Sequence, residues 1–343
     1  MKARPLPEGG TIGVPAPASP WDERSEVDRG VCWWESRGYR VKLAEGIWDR
    51  DDYVAGDPKA RARDVVAMFT DPEVDVVQVF GGGYGCAEVA PLLDLDAIGQ
   101  HPKPFVGYSD ITVLHLAIRK ATGLVTFYGP GLGGVAAQKT TDFTRERLLR
   151  ALTDPAPLGA VPARPDDQYV GVIGSGSETA PLVGGCLWLL CDSLGTPWEV
   201  ETDGSILFFE DLHTPQWMID SELTHLRNAG KLDGIVGVAA GEMYECDDWR
   251  FPDPGIRTRS VEDVFERHFA PMGIPMLFNL PLGHGKNLLT LPLGVSATVD
   301  ADARTLRILE PALEGPARTE EPALEGPDRT EEPARGPAEG GTS

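Results

Sequence analysis

From residue 10 to residue 123, short apolar runs alternate with stretches of helical period, and this alternation limits the possible folds more than any other feature. GTIGVPAP (10–17) reads as a strand that runs into Pro and Ser. DERSEVDRGVCWWESR (22–37) reads as a helix ending before Gly38, and YRVKLAE (39–45) alternates like a strand. PKARARDVVAMFTD (58–71) is a helix pattern with Val65, Val66, Met68 and Phe69 on its apolar side. DVVQVF (75–80) is a buried strand that stops at GGGYG. KPFVGYSDITVLHLAIRKATG (103–123) reads strand, sharp turn, helix, then a Gly stop. Parallel strands need crossover connections, so this order predicts a mostly parallel, helix-covered sheet in an N-terminal α/β domain at 1–135.

Residues 136–170 are predicted as a linker region, with TTDFTRERLLRALTD as a helix and PAPLGAVPARPDD as a Pro-rich connection. A second apolar region, 171–309, contains LVGGCLWLLCDSLG, SILFFEDL and LDGIVGVAAGEM, then short β-like runs, and predicts a smaller C-terminal α/β domain. Residues 310–343 stand apart: EPALEGPARTE (310–320) is followed by EPALEGPDRTE (321–331) and a degraded third copy. Nine acids face three Arg there, Pro recurs and aromatics are absent. Such a segment buries too little apolar surface to offset its ordering entropy, so a disordered acidic tail is expected.

Charge excludes some functions. The 343 residues hold 31 Lys and Arg against 53 Asp and Glu, a net charge of −22. A surface this acidic repels phosphates, which argues against nucleic acid or an anionic membrane as partner. No run of about 18 apolar residues occurs, so no membrane span is expected. The first residues lack the apolar core of a secretory signal. Five cysteines, an odd number without a C-x-x-C pair, argue against a disulfide framework and a zinc site. They suit a reducing cytoplasm.

The chemistry concentrates at VGYSDIT (106–112). This context places Ser109 on a tight strand-to-helix turn, where the hydroxyl is exposed and the helix N-terminus adds positive potential. The Asp110 N–H would be an oxyanion donor. The general elbow has Gly where this chain has Ile111. The competing reading makes Ser109 or Asp110 simply an N-cap. A nucleophilic Ser needs a base, and there are six His. His115 is too close in sequence, His101 and His268 lie in polar contexts expected to be exposed, and His225 belongs to an amphipathic helix. His213 and His284 remain, and Gly on both sides of His284 lets a loop present that imidazole. The base needs an orienting carboxylate, and SILFFEDL (205–212) ends on Glu210 and Asp211, either of which could serve. GGGYGC (81–86) can bring backbone N–H groups to an anion through Gly82 or Gly83, as the second half of an oxyanion hole. It lacks the spacing of a dinucleotide or P-loop motif. Cys86 is a weaker nucleophile candidate because it sits in the loop rather than at the elbow.

Taken together, these motifs resemble the serine peptidase family of the cytoplasmic LD-carboxypeptidases (muramoyl-tetrapeptide carboxypeptidases) and the microcin C self-immunity peptidases. The matching segments are 53–77, GGYG (82–85), KPFVGYSDITVLH (103–115), FYGP (127–130), LFFED (207–211) and GHGKNLLTLPLG (283–294). The resemblance implies a triad of Ser109, Glu210 and His284, with Asp110 and Gly82 or Gly83 as backbone oxyanion donors. It implies a flavodoxin-like N-terminal domain carrying Ser and a C-terminal domain carrying Glu and His. No metal or organic cofactor is implied; a homodimer is. Three departures fall where substrate is expected: Gly81 replaces an Arg, Cys186 replaces an Asn, and Trp217 to Ser221 replace a Tyr-x-Ile-Asp-Arg pattern. Tyr84, Trp217 and Cys186 are therefore the candidate substrate contacts. The implied activity is hydrolysis of an L-to-D amide in a peptidoglycan tetrapeptide. The tryptophan-bearing insertion associated with the microcin branch is not evident between 135 and 170, which favours the carboxypeptidase branch. Cleavage of an aminoacyl- or peptidyl-nucleotide antibiotic is the alternative, and a non-catalytic anion-binding α/β protein is a third.

Overall fold

The computed structural model describes residues 1–137, 140–162, 166, 169–246 and 259–315. Five short strands make the parallel part of the first sheet, four of them buried and the edge strand β2 partly exposed: β1 (Thr11–Val14), β2 (Arg40–Leu43), β3 (Val76–Gln78), β4 (Phe105–Gly107) and β5 (Thr126–Tyr128). They are parallel in the order β2-β1-β3-β4-β5, the strand order of a flavodoxin-like sheet. Helices Arg24–Glu35, Pro58–Thr70 and Thr112–Thr122 make the crossovers. Local chemistry sets their ends. Asp57 caps the second helix by accepting from the Lys59 and Ala60 amides, with Pro58 at its first position. Gly123, at φ 69°, stops the third in the left-handed conformation.

The second sheet is mixed. Its strands are β6 (Gly159–Ala160), β7 (Gly171–Ile173), β8 (Ser177–Cys186), β9 (Ile206–Leu212), β10 (Gly237–Tyr244) and β11 (Met276–Phe278), followed, after β12 (Leu291–Leu293), by β13 (Ser296–Asp300) and β14 (Thr305–Ile308). The order is β6-β14-β13-β8-β9-β10-β11-β7, with a parallel centre from β8 to β11. The near-continuous apolar run of β9 suits a strand covered on both faces.

Strand β12 crosses between the two sheets. It leaves the 171–309 segment and pairs antiparallel with β5, making it the sixth strand of the first sheet. Val106, Phe127 and Tyr128 of the first sheet also share one buried cluster with Phe208, Leu277 and Leu282. The two halves thus meet across a common apolar seam, and the carboxyl ends of β4 and β9 both reach it.

The helix expected in the linker region is present, and the tail begins later than expected. The linker region contains the helix Asp142–Thr153, capped by Thr141, with Leu148 and Leu152 fully buried. The tail does not leave the body at residue 310: Ala312 and Leu313 are buried, and Leu313 bridges Ala3. Most of the 11-residue repeat lies outside the described residues.

Candidate active site

The nucleophile candidate is placed by local backbone geometry. After β4, Tyr108 is extended and Ser109 turns left-handed, at φ 64°, before a short helical turn leads into Thr112–Thr122. A non-glycine residue held there is strained, the signature of a nucleophile elbow. Ser109 is half-buried. Neither it nor Asp110 caps the helix, which has no side-chain cap. The Asp110 carboxylate instead accepts the Cys86 amide at 2.8 Å and so ties the elbow to the GGGYG loop. Burial raises the Asp110 pKa, and that amide opposes the rise.

The loop comes very close to the elbow. A Cβ added at Gly82 would lie 2.8 Å from Ser109 Cβ and 3.2 Å from its Oγ, so only glycine fits. Ser19 Oγ accepts the Tyr84 amide at 3.1 Å, packed against Gly83. Beneath the loop, buried Arg61 donates to the Pro17, Gly56 and Gly85 carbonyls and pairs with Glu88. Sequence reading missed Ser19 and Arg61. Arg61 sits in an ordinary helix pattern, and nothing local marks its carbonyl partners.

The two other candidates come from β9 of the second sheet and from the loop between β11 and β12. Glu210, near the end of β9, is wholly buried. Its Oε2 accepts from His284 Nδ1 at 2.7 Å and from the His284 amide at 3.1 Å. Donation from Nδ1 leaves Nε2 of the neutral ring as an acceptor. Gly283, at φ 96°, is required here, because a Cβ would lie 2.2 Å from Glu210 Oε2. The loop is held from the linker-region helix: Thr144 Oγ1 accepts the Leu288 amide at 2.9 Å, and Thr141 donates to Asn287 Oδ1. Asp211 points to the other side of the strand, where it accepts from the Trp188 and Leu212 amides and the Thr214 hydroxyl. Burial, and then the neighbouring Glu210 charge, push its pKa up to about 6.

Tyr108, at 4.9 Å between ring centres, lies against His284. These two rings line a cleft of about 260 Å³ with Thr144, Lys286 and the exposed, hydrogen-bonded His213 and Glu245. His268 is not exposed as expected; it is buried and bonded to Asp220 at 2.7 Å. His115 is buried and bonds the Gly107 carbonyl. Cys86 is fully buried, and desolvation drives its thiol pKa well up, the opposite of a nucleophile's requirement. Among the proposed substrate contacts, Tyr84 is half-exposed against Tyr53, and Trp217 is also half-exposed. Cys186 is buried, with its amide bonded to Thr112 Oγ1, so its thiol offers no open surface. Among the described residues, no three His, Cys, Asp or Glu side chains gather as a metal would need.

A two-sheet α/β chain with the Ser109 turn at one sheet and the buried Glu210–His284 pair beside the other is compatible with a hydrolase, and the family match gives that class. Residues 12–129 match the LD-carboxypeptidase N-terminal domain and residues 179–299 the LD-carboxypeptidase C-terminal domain; the chain belongs to this family. It is 34% identical over 333 residues to a probable murein peptide carboxypeptidase of Bacillus subtilis (strain 168), covering 93% of this chain and 97% of that one. A structure of MccF in complex with glutamyl sulfamoyl guanosine is similar with a TM-score of 0.83 and 27% identity, covering 92% of this chain and all (100%) of the other. The muramoyltetrapeptide carboxypeptidase from Oxalobacter formigenes is similar with a TM-score of 0.73 and 26% identity, covering 87% and 97%. No helix among the described residues is long and apolar enough to cross a membrane.

Proposed function

We propose that the protein is a serine carboxypeptidase that hydrolyses an L-to-D amide at the C-terminus of a peptidoglycan-derived tetrapeptide. The supporting observation is the 2.7 Å bond between buried Glu210 and His284 Nδ1, at the same seam as the strained Ser109 elbow. In this mechanism His284 Nε2 takes the Ser109 proton as Oγ attacks the amide carbonyl carbon. Glu210 holds the ring and stabilises the imidazolium. The Asp110 N–H and an N–H of Gly82 or Gly83 bind the oxyanion, each donor worth about 10²–10³ in rate. The tetrahedral intermediate collapses, the C–N bond breaks, and His284 returns the proton to the leaving amine of D-Ala. Water, activated by the same imidazole, then cleaves the acyl-enzyme.

Lys286, two residues beyond His284, brings a cation to the cleft wall of a chain whose net charge is −22. It is proposed to attract the substrate's terminal carboxylate. Tyr84 and Trp217 are proposed to contact the more distant parts of the substrate. The free thiols fit the proposed cytoplasmic location. Homodimerisation is part of the same proposal.

The second reading, cleavage of an aminoacyl- or peptidyl-nucleotide, is favoured by the similarity to MccF in its complex with glutamyl sulfamoyl guanosine. Liquid chromatography of reactions with an L-Ala-D-Glu-diamino acid-D-Ala tetrapeptide and with an aminoacyl sulfamoyl adenylate separates the two. Release of D-Ala is expected. Turnover of the adenylate alone would transfer the assignment to the second reading, and turnover of neither would remove both.

A further inference from the structure

We infer that Tyr128 is a positioning residue that locks the nucleophile and the triad acid into one frame across the seam. This rests on the proposed Ser109–His284–Glu210 reading. Tyr128 ends β5 in the first sheet, yet its hydroxyl reaches the acid of the second. The side chain is wholly buried. Its oxygen accepts the Ser109 amide at 3.1 Å, and its single proton goes to Glu210 Oε1 at 2.5 Å. One hydroxyl therefore satisfies a donor at the elbow and an acceptor on the triad acid.

Three consequences follow. The Ser109 N–H is occupied, so oxyanion binding falls to the neighbouring amides of Asp110 and the GGGYG loop. Both oxygens of Glu210 are held, Oε1 by Tyr128 and Oε2 by His284, so the carboxylate cannot rotate away from the imidazole. The strained conformation of Ser109 is braced at its own amide, next to the atom that must attack. The ring has little freedom to swing: Phe208 lies 5.1 Å away between ring centres, His115 6.0 Å and Tyr108 6.3 Å. Burial drives the phenol pKa well above its usual value, so the hydroxyl keeps the proton it donates to Glu210. Sequence reading passed over this residue because its partners lie 19 and 82 positions away.

The test is a double-mutant cycle on the full chain, pairing Tyr128→Phe with Glu210→Gln. Phe keeps the ring packing and removes only the hydroxyl. Steady-state kinetics on the substrate that the wild type turns over should show kcat lowered about 10- to 100-fold by Tyr128→Phe, with KM nearly unchanged. In the Glu210→Gln background the same change should cost less, because the part of its effect carried by the Glu210 bond is already lost and only the brace on the Ser109 amide remains. Active-site titration with a fluorophosphonate corrects every rate for the folded fraction, so a stability loss does not imitate the effect. Wild-type kcat in Tyr128→Phe, or an equal loss in both backgrounds, would overturn the inference. A wild-type enzyme that neither hydrolyses peptide nor is labelled at Ser109 would instead overturn the reading beneath it.

Discussion

The two walls of the cleft are held in place by different means. The elbow wall is built from one contiguous stretch: β4, the left-handed Ser109 and the helix Thr112–Thr122 all fall within 105–122. The acid–base wall has no such local logic. His284 is oriented by Glu210, 74 residues earlier, and its loop is held by Thr144, 144 residues before Leu288. A short strained turn fixes the proposed nucleophile, Ser109, largely through local backbone geometry. The imidazole depends on long-range packing between loops. Damage away from the chemistry should therefore harm the acid–base wall more readily than the elbow.

Gly283→Ala presses hardest on this contrast. The added methyl group meets Glu210 Oε2 at a backbone position that side chains rarely adopt. A misplacement of about 1 Å costs on the order of 10² in rate, so kcat should fall by at least about that factor. Circular dichroism should show the folded sheets retained. A variant with wild-type kcat would show that the glycine is dispensable and the acid–base wall less constrained than argued.

Lys286→Gln probes the same wall at the substrate rather than at the base. KM for a peptide with a free C-terminal carboxylate should rise about tenfold, equivalent to about 1.4 kcal/mol of binding. The corresponding C-terminal amide should be unaffected. Equal effects on acid and amide would remove Lys286 as the carboxylate's partner.

The smallest effect concerns the elbow wall and acid. Burial lowers the His115 pKa from 6.5 to about 4. Above about 6.5 neither the folded nor the unfolded chain binds this proton. As the pH falls from there towards 4, the unfolded chain takes it up and the native state does not. Stability is therefore lost with falling pH across that window, by roughly 1 kcal/mol at pH 5.5 to 6. Thermal melts of His115→Gln should show a shallower decline between pH 7 and 5 than the wild type. Parallel declines would assign acid sensitivity to other groups.

The same contrast explains what the sequence revealed. In the first sheet β5 was not read as a strand, whereas the first four strands were legible because they and their helices carry local signals, such as Pro58 at one helix start and Gly123 at another's end. Ser109 was legible for the same reason. Glu210 and Asp211 could not be separated by residue type; strand alternation turns one towards His284 and the other towards Thr214. The pairing of β12 with β5 was not legible because an edge pairing is set by tertiary contact, not by its Leu-Pro-Leu sequence. His268 looked exposed because its neighbours are polar, yet Asp220 on another helix supplies its partner. Ala312 and Leu313 were hidden inside a repeat whose average composition argues for disorder, although both are buried against the body. Arg61 and Tyr128 share one reason for being missed: their meaning lies in partners that no local window contains.

The most direct measurement is intact-mass spectrometry after incubation with a fluorophosphonate, with the modified peptide mapped by fragmentation. The wild type should gain one adduct on Ser109, Ser109→Ala should gain none there, and His284→Ala should label far more slowly. An actively hydrolysing enzyme that remains unlabelled at Ser109, or that labels equally fast without His284, would contradict the account.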